Sequence, residues 1–293
     1  MKHQNPVGNK ISITYACVLF CMIMSNSYLN AQEVNKLDTK TNALLEKIMD
    51  TDQVLREECY SLLDKYGNSS PEYKQADRKL TIGDSINQKQ IDSIFDKHGW
   101  LCPPIVSQKA TEAYFYVIQH APYEFQKKYR DHVIDAYKKN VIDENEYCIF
   151  MDRIAIRGQK YQKYGTQIMR DNIGNNYFVP IDTVNNPIKY SFDTTIKERS
   201  KENFIIFSDH NYVTLFIHAF NPNTNQAVPF LEISLDGDKI GKTNEKGFFQ
   251  TRIKRDKQES TLIITDTKTG KKSTSKLKYS DQIDYFDRYC CFK

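Results

Sequence analysis

The sequence predicts an α+β protein in separate domains, a mainly α-helical N-terminal domain followed by a small antiparallel β-sandwich. From Val34 to about Arg157, apolar residues recur every three or four positions, as in helices that bury one face. After Ser208 the period drops to two: Val213, Leu215, Ile217 and Ala219 face one way, Thr214, Phe216, His218 and Phe220 the other. The 293 residues less an expected 31-residue signal leave 262, which suits two modest domains better than one.

Ahead of the first domain, Lys2 and Lys10 precede an apolar run from Ile11 to Met24, and Ala31 supplies a small residue for cleavage. These features in this order predict a cleavable secretory signal over residues 1–31 and a secreted or periplasmic product. The run is shorter than the roughly 20 residues that span a bilayer, and no later stretch is apolar enough, so no membrane span is expected after signal removal. Cys17 and Cys21 lie inside the run without the small-residue context of a lipidation site. The net charge of +4 includes the two signal lysines, and the remainder is too weakly basic to imply nucleic acid.

Residues 36–205 are assigned to the helical domain. Leu45, Ile48, Leu55, Cys59 and Leu62 share one face of a long first helix; Pro71 opens a polar segment, and Ile91, Ile94, Phe95 and His98 mark a further helix before Gly99 and Pro103-Pro104. Ala110, Ala113, Tyr114, Val117, Ile118 and Ala121 form the next stripe, ended by Pro122; Phe125, Tyr129, Val133, Ala136 and Tyr137 follow. Asp143 with Glu146 three residues on reads as a capping box ahead of Tyr147, Phe150, Met151 and Ile154. Short extended pieces around Gly174-Asn175 suit a hairpin, and Asp193 to Phe204 suits a last helix or a linker.

Residues 209–282 carry the sandwich. Val213 to Phe220 is followed by Leu231, Ile233 and Leu235, a turn at Asp236-Gly237, and further strands at Phe249–Ile253 and Leu262–Ile264. Residues 283–293 read as a tail. Five cysteines remain after signal removal, an odd number that forbids complete pairing and matches no zinc or redox spacing.

Four motifs stand out in the helical part: Asp52-Gln53-x-x-Arg56, Gln119-His120, Asp152-Arg153 and Gln162-x-Tyr164-Gly165-Thr166-Gln167. In this order they resemble an uncharacterised bacterial family of unknown function, over roughly residues 40 to 200. In the strands, Ala227-Val228-Pro229 leading into a strand and Gly241-Lys242-Thr243-Asn244-Glu245-Lys246-Gly247-Phe248-Phe249 are similar to carboxypeptidase regulatory-like domains, small transthyretin-like sandwiches. That resemblance implies an accessory module of exported proteins and no peptidase activity, since no zinc-peptidase motif is present.

Asp52 falls on the apolar face of its helix with Arg56 at i+4, and a buried carboxylate demands a partner. As a site, the cluster would use His120 as general acid or base with Asp152 or Asp52 orienting it. Arg56 or Arg153 would meet an anionic group, and Gln119, Gln162, Tyr164, Thr166 and Gln167 would line it. As a structural network, the same residues would fix helix packing. The chain therefore reads either as an exported binding protein with a polar pocket, meeting an envelope protein or a small polar ligand, or as a hydrolase built on His120. No metal-ligand spacing, cofactor motif or nucleophile elbow is present, and no metal or cofactor is expected.

Overall fold

The computed structural model describes residues 11–182, 204–205 and 208–292, with side chains from residue 39 onward. Residues 193–203, most of the expected helix or linker, lie outside the described residues, as do the first ten of the expected signal. Five helices run α1 (Ile11–Tyr66), α2 (Pro71–His98), α3 (Gln108–His120), α4 (Tyr123–Lys138) and α5 (Glu144–Arg157). A hairpin of β1 (Met169–Arg170) and β2 (Asn176–Tyr177) follows. Then come β3 (Tyr212–Asn221), β4 (Gln226–Ala227), β5 (Glu232–Leu235), β6 (Asp238–Lys242), β7 (Phe248–Lys254), β8 (Glu259–Thr265), β9 (Lys272–Lys278) and β10 (Tyr285–Cys291).

The architecture is the expected α+β arrangement, with helices first and mainly antiparallel sheets after. Among the described residues, no helix is long and apolar enough to cross a membrane. The described residues fall into two compact units, one within 1–57 and 80–117 and one within 58–79 and 118–293.

In the first unit, Leu45 and Ile48 on α1, Ile91 and Ile94 on α2, and Ala110, Ala113 and Tyr114 on α3 are buried. The two helical pieces expected after Pro71 are a single α2 of 28 residues. Gly83, its only internal glycine, does not break it, because a Cβ there would collide with Leu55 Cδ1 and the bare backbone permits the close approach. Ser107 caps α3 by accepting from Ala110 N at 3.1 Å, and its own hydroxyl donates to Glu46 Oε1 at 2.6 Å.

The second unit begins at the end of α1, where Gly67 (φ +77°) donates to Leu63 O at 2.8 Å. Ser70 then caps α2, accepting from Tyr73 N at 3.1 Å, with Pro71 in the first helical position. The capping box at α5 is complete: Glu146 N donates to Asp143 Oδ1 at 2.7 Å, and Asp143 N to Glu146 Oε2 at 2.9 Å.

The strands form two four-stranded sheets, β6-β5-β8-β9 and a second in which β3 is flanked by β10 and pairs with both β4 and β7. Asp236 (φ +52°) and Gly237 (φ +96°) make the two-residue β5–β6 turn, which needs positive φ at both positions. Val213, Leu215, Ile217 and Ala219 pack with Leu231, Ile233, Leu262, Ile264 and Leu277 in the core between the sheets. The other face of β3 is also covered: Phe216 packs with Ile156, Tyr161, Tyr177 and Val179. A strand apolar on both faces needs cover on both, and here the segment from α5 to the hairpin supplies the second.

Residues 283–293 are not a tail. Tyr285–Cys291 within them form β10, which runs parallel to β3 from Tyr285 opposite Thr214 to Cys291 opposite Phe220, the one parallel strand pair of the module among the described residues. Phe286, Cys290 and Phe292 enter the core between the sheets. β9 also goes beyond the expected strands; its lysines mark a protected sheet edge, and Leu277 is its one core residue. Among the described residues all five cysteines stand as thiols.

Candidate functional site

Of the sequence motifs, Asp152 and the Gln162–Gln167 loop are brought into direct contact. Asp152 is fully buried on α5. Its Oδ1 accepts from Lys163 N (2.6 Å) and Tyr164 N (2.8 Å), and its Oδ2 from Thr166 N (2.7 Å) and Thr166 Oγ1 (2.9 Å). Four donors fill the acceptor capacity of a carboxylate. Burial pushes the Asp152 pKa up, opposed by the backbone and hydroxyl donors of Thr166 and the amides of Tyr164 and Lys163.

Gln162, also fully buried, clamps the loop from its other side. Its Nε2 donates to Gln167 O (2.9 Å) and Val179 O (2.8 Å), while Gln167 N donates back to Gln162 Oε1 (2.8 Å). Gly165 sits at φ +75°, against Ile181 and Phe178. The Tyr164 ring lies edge-on to Tyr147, with centroids 6.1 Å apart, and burial raises its pKa. This string therefore folds a loop onto a carboxylate.

Gln119 and Arg153 meet at the end of α3. Gln119 O accepts from Gln126 Nε2 at 2.6 Å and from Arg153 Nη1 at 3.5 Å, and Arg157 Nη1 donates to Ala121 O. These side chains satisfy carbonyls that a helix end leaves without intrahelical donors. His120, half-buried, is the last residue of that helix.

Asp52 and Arg56 lie in the first unit. The guanidinium reaches Asp52 through Nε (3.2 Å) and Nη2 (3.0 Å), and Nη2 also reaches Asp84 Oδ1 at 2.6 Å; Gln53 Nε2 donates to Asp52 Oδ2 at 2.8 Å. Burial lowers the Arg56 pKa, but the two carboxylates outweigh it and hold the value above the ordinary one.

A second polar cluster was not anticipated. His218, on the second face of β3, is wholly buried, with Nδ1 2.8 Å from Asp171 Oδ2 and Nε2 2.8 Å from Asp287 Oδ1 on β10. The first contact is a hydrogen bond; the second is an ion contact off the hydrogen-bonding line. Tyr177 Oη donates to Asp287 Oδ2 at 2.7 Å, and the Tyr289 ring stacks on the imidazole at 4.6 Å. Asp171 also accepts from Ile173 N, Asn175 N and Asn175 Nδ2 at 2.7–3.0 Å, which closes the hairpin turn. Burial alone would lower the His218 pKa and raise that of Asp171. Their mutual attraction wins, with Asp287 acting on His218 and Asn175 on Asp171, so His218 is raised and Asp171 lowered. The available signal was a lone histidine in a strand whose two faces are both largely apolar.

Among the open features of the second unit is a cleft of about 740 Å³, with others of about 750 and 660 Å³ beside the β1–β2 hairpin. One wall is the α4 stripe Tyr123, Lys127 and Arg130, and a second is Met151, Ile154 and Ala155 on α5 with Gly158 at its end. Lys160, Tyr161 and Lys163 continue the lining, and Asp182, His210, Arg255, Asp281 and Asp284 complete it. Asp284 Oδ2 accepts from Tyr161 N at 3.1 Å, while its Oδ1 lies 3.6 Å from both Lys160 Nζ and Arg255 Nη2. None of the sequence-derived site residues lines this cleft; the Asp152-braced loop borders it through Lys163. Among the described residues, no group of His, Cys, Asp and Glu is arranged to hold a metal.

Fold and site together define an α+β protein whose motif residues build an internally satisfied loop beside a cleft rich in cations. The chain belongs to a family of unknown function (DUF6624), whose model matches residues 41–212. The match ends at the first residue of β3. No curated protein and no solved structure matches the chain.

Proposed function

We propose that this is an exported binding protein that takes a small polar ligand in the cleft between α4, α5 and the Lys160–Lys163 segment. The observation that carries the reading is that cleft: its size lies in the range of small-molecule sites, and its lining, more charged than most, suits a polar ligand. The hydrolase reading has less support, because all four acceptor positions of Asp152 are occupied by the loop, and Asp52 is engaged by Arg56 and Gln53. Export rests on the lysines, apolar run and Ala31 at the N-terminus. The strands after Tyr212 are read as a carboxypeptidase regulatory-like accessory module, which here also walls the cleft through Arg255, Asp281 and Asp284.

The test is a thermal-shift screen of the purified protein and of Ala155→Trp against a library of small polar compounds. The half-buried Ala155 lines the cleft, and an indole there would fill it. The reading predicts compounds that raise the melting temperature of the wild type and leave the variant unshifted. Compounds that shift both proteins equally, or none that shift the wild type, would refute it.

A further inference from the structure

Resting on that cleft as a binding site, we infer that its ligand is a small organic anion, a carboxylate or phosphate carried on an apolar body. Five cations (Lys127, Arg130, Lys160, Lys163 and Arg255) line the cleft with three carboxylates. The carboxylates are partly engaged within the wall: Asp284 lies close to Lys160 and Arg255, and Asp182 Oδ1 lies 3.2 Å from His210 Nε2. Among the described residues, the ion partners of Lys127 and Arg130 are the neighbouring Glu124 and Asp131, with side chains 81% and 88% exposed. Pairs so open to water are weak, which leaves both cations available to a ligand.

Arg255 adds a preorganised charge. Its Nη1 donates to Ser280 O at 2.9 Å and its Nη2 to Ile283 O at 2.8 Å, so the guanidinium is fixed largely by neutral carbonyls. Its buried Nε has no hydrogen-bond partner, an unmet donor in a wall already rich in positive charge. The rest of the lining selects for the ligand's body. Half-buried Ala155, over the buried Met151 and Ile154, gives an apolar floor, and Tyr123, with Lys127 Nζ 5.3 Å from its ring centroid, offers an aromatic face beside a cation. An inorganic anion would leave that surface in water, and a neutral apolar molecule would leave the cations without a counter-charge.

Calorimetric titration of the purified protein with phenyl phosphate, benzoate and the neutral isostere benzamide tests this. The two anions are expected to bind at least about tenfold more tightly than benzamide, and their order tells which headgroup the cleft prefers. The double variant Lys127→Glu/Arg130→Glu, whose side chains are exposed and should leave folding intact, is expected to lose about tenfold or more for both anions relative to its affinity for benzamide. Equal affinity for benzamide and benzoate, or no effect of the charge reversal, would overturn the anion assignment and leave the cleft standing as a binding site. If none of the three probes binds, the anion assignment also fails, and the Ala155→Trp screen decides the cleft by itself.

Discussion

The imidazole of His218 on β3 stands 2.8 Å from the carboxylate of Asp171, a residue 47 positions earlier in the turn of the β1–β2 hairpin. The bond joins the region matched by the family to the strands that follow it, and Asp287 on β10 closes the cluster from the other ring nitrogen. Both partners of the first contact are wholly buried, so neither is open to a ligand and the contact acts on the fold.

Stability should therefore depend on pH in a defined window. His218 has a raised folded pKa, so its contribution is complete below the ordinary value of 6.5 and is lost as pH rises through the folded value. Asp171 has a lowered one, so its contribution is complete above 3.8 and is lost as pH falls through the folded value. With Asp287, Tyr177 and Tyr289 the other ionisable groups around the ring, the melting temperature should be highest between these limits and decline on the alkaline side. His218→Leu should flatten the alkaline decline and cost about 3–5 kcal/mol by leaving Asp171 buried without its cation, measured by denaturant unfolding at pH 6.

Asp152 should matter to the loop before it matters to any chemistry. In Asp152→Asn an amide NH2 replaces one carboxylate oxygen and confronts donors where they need an acceptor, at a cost of about 2–4 kcal/mol. Amide hydrogen exchange should show lost protection at Lys163, Tyr164 and Thr166, with little change in β5 or β8. Unchanged exchange at those three amides would remove the bracing role.

The last eleven residues should be required for folding. β10 supplies Phe286, Cys290 and Phe292 to the core between the sheets, Tyr285 to the cover on the other face of β3, and Asp287 to the histidine cluster. Truncation after Gln282 should abolish the cooperative unfolding transition in calorimetry, whereas removal of Lys293 alone should leave it unchanged.

Local patterns were legible in the sequence where one residue's chemistry determines its neighbours. The Asp143–Glu146 capping box, the Asp236-Gly237 turn and the Asp52–Arg56 pair are all contacts within four positions. What could not be read depends on partners distant in the chain. β10 looks like a tail because its neighbour, β3, lies some 70 residues earlier. Asp152 and the Gln162–Gln167 string were legible only as members of a wider polar cluster with His120, Asp52 and Arg56, and spacing cannot tell a carboxylate awaiting a substrate from one already filled by four loop donors. The cleft was not legible, because its walls come from α4, α5, the Lys160–Lys163 segment and the strands, and its cations look in sequence like solvated surface charge.

The most direct test of the central claim is chemical-shift mapping of the isotope-labelled protein during titration with phenyl phosphate. Binding of an organic anion in the cleft predicts saturable shifts concentrated at Tyr123, Lys127, Ile154, Ala155 and Arg255, with Asp152 and His218 little affected. Saturable shifts centred anywhere else in the molecule, or no saturable shifts at all, would contradict it.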